Sequence, residues 1–121
     1  MRLLSDLLFA LSALLHAGFL VLEMFLWQRP IGLRLFRQSP EKAASSAVLA
    51  ANQGLYNGFL AAGMAWGLWE GQGPLGGRVR LFFGGCMVVA GLYGAWSTRS
   101  RTILIVQSLW PLLALLALGL V

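Results

Sequence analysis

The chain has 121 residues, 59% of them hydrophobic and 11% charged, against roughly 45–50% and about 25% in ordinary soluble domains. One core of this size cannot bury so much apolar surface, so a soluble globule is excluded and a lipid bilayer is the expected solvent. The net charge of +5 does not imply nucleic acid, because Arg2, Arg29, Arg34, Arg37, Lys42, Arg78, Arg80, Arg99 and Arg101 fall between apolar runs, as in loops that meet anionic headgroups.

In chain order, apolar runs near the ~20 residues that a spanning helix needs occupy about 3–27, 47–69, 79–97 and 102–121. The first is not read as a cleaved leader, since Asp6 offsets Arg2 and no A-x-A-like site follows. Trp27, Trp69 and Trp96 stand at run ends, where an interfacial aromatic belt belongs. The connection over about 28–46 mixes Pro30 and basic residues with Ile31, Leu33, Leu35 and Phe36, and is expected to lie along the membrane surface. Ser39, Pro40 and Glu41 read as N-cap, N1 and N2 of the next helix. Glu70 to Gly77 is a Gly/Pro turn signal, and the short link carrying Arg99 and Arg101 forces an antiparallel hairpin. Pro111 is expected to kink the last run and free a carbonyl near Gln107.

The expected fold is all-α: one integral membrane domain over 1–121, built as an up-down-up-down transmembrane four-helix bundle. The connections 28–46 and 98–101 hold four and two basic residues, and the opposite side one and two, which puts both termini outside. Gly54-x-x-x-Gly58, Gly63-x-x-x-Gly67, Gly84-Gly85 and Gly91-x-x-Gly94 supply close-packing faces, either within the bundle or as a homodimer face. The lone Cys86 can form no intrachain disulfide.

The informative residues are the polar ones inside the runs, where a charge costs roughly 2.5–3.5 kcal/mol on insertion scales. His16 and Glu23 lie seven residues apart on one face of the first run. Asn52, Gln53, Tyr56 and Asn57 follow in the second, Tyr93 in the third and Gln107 in the fourth. Counted from the run ends, Glu23, Asn52, Gln53, Tyr93 and Gln107 reach one level, roughly 6–9 Å below the interface, with His16 and Asn57 deeper. Glu23 and His16 are therefore the acid/base candidates. The amides and tyrosines are candidates for orienting a ligand, or alternatively for fixing helix register. Asp6 and Glu70 read as solvated end residues. One His, one Cys and one in-span Glu do not make a zinc site, so no metal and no cofactor is expected.

The runs His16 to Trp27, Ala50 to Gly63 (with Asn-Gln-Gly-Leu-Tyr-Asn-Gly at its centre), Ala90 to Gly94 and Val106-Gln107 resemble the bacterial domain-of-unknown-function family numbered 1304. The resemblance implies a small four-span protein, multi-pass in the bacterial inner (cell) membrane. It implies no activity.

Three functions remain open. The first is an intramembrane polar site for a small apolar or lipid-like molecule, with acid/base chemistry available at Glu23 and His16. The second is a proton-coupled homodimeric transporter using Glu23, which is similar to small multidrug-resistance transporters in architecture only. The third is an accessory membrane subunit without its own activity.

Overall fold

The computed structural model describes residues 1–119 and is all-helical, with no strand among the described residues. The helices are α1 (Arg2–Met24), α2 (Pro30–Leu35), α3 (Pro40–Trp69), α4 (Pro74–Thr98) and α5 (Arg101–Gly119). Of these, α1, α4 and α5 are long and apolar enough to cross a membrane. The longest helix, α3, is not one of the three, because Asn52, Gln53, Tyr56 and Asn57 interrupt its apolar sequence in successive turns.

Several boundaries differ from the sequence expectation, each for a local reason. Helix α1 stops at Met24, where Leu26 N–H reaches back to Val21 O at 3.2 Å and breaks the α pattern, so Trp27 lies beyond the helix. Helix α4 begins at Pro74, five residues before the expected Val79, with Gly73 as N-cap and proline at N1. Leu75, Gly76 and Gly77 are therefore helical rather than part of the turn. Gly76 is required there because a Cβ would overlap Gly71 O. Ahead of Pro111, α5 widens into π-helical geometry over Leu104–Leu109, which absorbs the missing proline N–H. Residues 120–121 of the expected fourth run lie outside the described residues.

The chain forms two compact units: Met1–Leu15 with Leu60–Val121, and His16–Phe59. In the first, Phe9, Met64, Met87 and Ala114 are fully buried together, with Leu8, Leu60, Phe83 and Leu115 against them. Helix α4 meets α5 antiparallel: Gly84 faces Leu115, Gly91 faces Ser108 and Gly94 faces Ile103. Ser108 Oγ donates to Val88 O at 2.9 Å, and Ser5 Oγ to Ala114 O at 3.0 Å, so buried hydroxyls close on helix carbonyls instead of being left unpaired.

The same unit corrects the expectation for Asp6. Arg80 is 1% exposed, and its Nη1 meets Asp6 Oδ1 at 2.6 Å. Its Nε and Nη2 donate to Gly67 O and Gly71 O, both at 2.9 Å, placing a cation on the negative end of α3. Gln72 Nε2 donates to both Asp6 oxygens. Asp6 is thus a counter-ion of a buried arginine and not a solvated end residue. Glu70 is exposed, as expected, and accepts from Trp66 Nε1 at 2.9 Å.

Candidate functional site

The second unit, His16–Phe59, holds most of the sequence-predicted site residues. Its α3 begins as the sequence implies: Ser39 Oγ accepts from Lys42 N–H at 3.2 Å, with proline and Glu41 next in line. The carboxyl of Glu41 is held below its usual range by its own backbone N–H and by the Ser39 hydroxyl.

Across the unit, α3 meets the end of α1 through Gly54 and Gly58. A Cβ at Gly54 would lie 2.8 Å from Met24 Cγ and 3.0 Å from Glu23 Cβ, and one at Gly58 would overlap Leu20. Asn57 shares that face, three residues from Gly54. It is 3% exposed, and its Nδ2 donates to Glu23 Oε2 at 2.8 Å. Asn52, Gln53 and Tyr56 are exposed. The helical period therefore selects one of the two asparagines as the Glu23 partner. The signal was in the sequence: Asn57 stands between the two glycines of Gly54-x-x-x-Gly58, and Asn52 does not.

His16 is buried on α1, edge-on to Phe19 with ring centroids 6.1 Å apart. Two helical turns, about 10 Å of axial rise, separate it from Glu23. Tyr93 and Gln107 belong to the other unit. Tyr93 is exposed beside Trp96, ring centroids 5.7 Å apart. Gln107 is half-buried in the π-helical turn against Gly91 and Gly94.

Beyond Met24 the chain folds back on itself. Gly32 of α2 lies on the carbonyls of Leu26 and Trp27, so closely that a Cβ would overlap both. Trp27 packs at a tilt of 46° against Phe36 with ring centroids 4.6 Å apart, and its Nε1 donates to Ser46 Oγ at 3.1 Å. Ser46 Oγ donates in turn to Lys42 O at 2.7 Å. Helix α2 ends in a Schellman arrangement, with Arg37 N–H on Arg34 O and Gln38 N–H on Leu33 O. Arg37 takes the left-handed conformation at φ 49°.

These contacts fix an open cleft of about 410 Å³ whose walls include Glu23, Met24, Phe25, Trp27 and Arg29. The cleft offers a carboxyl group already oriented by an amide and a guanidinium, in a mostly polar lining to which Met24 and Phe25 add apolar side chains. Arg29 was read in the sequence only as a loop charge; its place before Pro30, the first residue of α2, was the available signal. Among the described residues, no group of three or more His, Cys, Asp or Glu is placed to hold a metal ion, and Cys86 is a half-buried free thiol.

The profile of a family described as Protein of unknown function (DUF1304) matches residues 10–119. The chain belongs to the DUF1304 family. No curated protein and no solved structure matches it. The family match spans the whole Glu23 unit of this DUF1304 chain, including the Gly54, Asn57 and Gly58 face.

Proposed function

We propose that this DUF1304 protein is a four-span, up-down-up-down protein of the bacterial inner membrane, with both termini outside, and that it binds a lipid-like amphiphile beside Glu23. The observation that carries this reading is the Glu23 carboxyl, fixed by Asn57 at 2.8 Å and forming a wall of a cleft that also holds Arg29 and apolar side chains. An acid inside a span is costly and marks a functional position. Glu23 and His16 are the groups that exchange protons with the bound molecule, and Asn57 orients the carboxyl.

The test is lipid and small-molecule analysis of the purified protein. Wild type retains a defined amphiphile, whereas folded Glu23→Gln and His16→Ala proteins do not. Equal retention in all three rejects the reading.

A proton-coupled homodimeric transporter is favoured by one observation: Asn52, Gln53 and Tyr56 are exposed on α3, where contact with lipid leaves amides unsatisfied and a second copy supplies partners. Substrate-dependent proton movement in proteoliposomes, lost in Glu23→Gln, distinguishes this reading.

A further inference from the structure

The cleft at the end of α1 carries a carboxyl group and a guanidinium that are not paired with each other. Glu23 and Arg29 both line it, yet the only ion pair among the described residues is Asp6 with Arg80. Asn57 occupies Oε2 of Glu23, and a carboxylate can accept several further N–H donors. Arg29 is exposed and precedes the rigid start of α2, where its guanidinium fork suits a phosphate. Phe25, 65% exposed, and Met24 supply apolar surface alongside. A ligand that satisfies all of this is zwitterionic at one end and apolar at the other.

The cation is further specified. A quaternary ammonium has no N–H to give Glu23 and is ordinarily held by free aromatic faces. Of the two rings in the wall, Phe25 is exposed and Trp27 packs at a tilt against Phe36 with its Nε1 tied to Ser46, so the contacts give no cage of aromatic faces around a cation. A primary ammonium, by contrast, donates directly to the carboxylate.

We propose that this cleft takes a phosphoethanolamine headgroup, with the phosphate on Arg29, the primary ammonium on Glu23, and the acyl chains leaving along Phe25 and Met24. The proposal rests on the reading of the cleft as an amphiphile site and names its ligand class. The lipid is the source that the exposed Phe25 side chain at the cleft favours; soluble phosphoethanolamine shares the chemistry.

The experiment is native mass spectrometry of the full chain released from nanodiscs holding equal amounts of phosphatidylethanolamine, phosphatidylcholine and phosphatidylglycerol, with soluble phosphoethanolamine added in a separate arm. Wild type is expected to retain phosphatidylethanolamine about tenfold over phosphatidylcholine, the ratio that one charge-assisted hydrogen bond supports. Glu23→Gln, which can keep the Asn57 bond, is expected to lose that preference while still carrying phospholipid. Arg29→Gln is expected to lose phospholipid of every class, with recovery in Arg29→Lys. Arg78→Gln, the same charge change on an exposed residue of the other unit, is expected to behave as wild type. Retention of the soluble compound at the level of the lipid supports the headgroup chemistry and assigns it a water-soluble source. Wild-type retention of phospholipid with no preference for the primary amine overturns the ligand class alone. Retention of no amphiphile by wild type overturns the amphiphile reading as well.

Discussion

Asn57 and Glu23 are joined side chain to side chain at 2.8 Å, across 34 residues of sequence, where Gly54 and Gly58 of α3 pack tightly on α1. The bond orients the carboxyl group that lines the candidate cleft.

If that bond carries the register, Asn57 and Glu23 must be energetically coupled. A double-mutant cycle of Glu23→Ala and Asn57→Ala, read as thermal stability in detergent, is expected to give a coupling of about 1–2 kcal/mol, above the ~0.6 kcal/mol average for hydrogen bonds between spanning helices. Asn52→Ala, on an exposed face, is expected to leave stability within about 0.5 kcal/mol. A coupling near zero would show that the two side chains act independently.

How far this pair was legible in the sequence is instructive. Composition sufficed for a helical, apolar chain, and the costly residues Glu23 and Asn57 stood out because lipid penalises them. The grouping of polar residues by depth put Asn52, Gln53, Tyr93 and Gln107 at the level of Glu23; depth along an axis says nothing about direction around it, and Asn52 and Gln53 are exposed on α3. Direction is set by which small residues allow close approach, here Gly54 and Gly58. The Asp6 and Arg80 contact was hidden for a different reason: both residues sit near run ends, where solvation is the ordinary expectation, and only tertiary contact shows that Arg80 is buried.

Gly32 tests whether the cleft depends on the turn-back of the chain. A methyl group there overlaps the carbonyls of Leu26 and Trp27, and backbone cannot yield as a flexible side chain does. Gly32→Ala is expected to lift α2 from the turn that follows α1, seen as faster amide exchange over residues 31–35, and to lower ligand retention with Glu23 intact. Unchanged exchange in that segment would sink this account of the cleft.

Arg80 tests the other unit. Replacing it by Met removes its donors to Gly67 O and Gly71 O and leaves Asp6 with Gln72 but without its counter-ion. Breaking a buried pair costs about 3–5 kcal/mol, and the lower end is expected here because Asp6 is partly solvated. Arg78→Met removes an equal charge from an exposed position and is expected to cost under about 0.5 kcal/mol. Melting followed by circular dichroism separates the two, and similar losses in both would mean that charge alone, and not the buried bonds, is at issue.

The start of α3 carries a pH dependence whose sign follows from Glu41. Its carboxyl is held below the usual range by its own backbone N–H and by Ser39, and it stands on the positive end of the helix. A group lowered in the folded state binds fewer protons there than in the unfolded chain, so it stabilises the helix start at neutral pH. That contribution is complete above the ordinary carboxylate range and is lost as pH falls through the lowered value. Amide exchange at Lys42 and Ala43, whose N–H groups point to Ser39, is expected to rise on acidification beyond the intrinsic change measured in a Glu41→Gln variant. Ser39→Ala removes one of the two causes of the shift, so the midpoint of the transition is expected to move up toward the ordinary carboxylate value. A midpoint unmoved by Ser39→Ala would remove the hydroxyl from the account and leave the backbone N–H as its source.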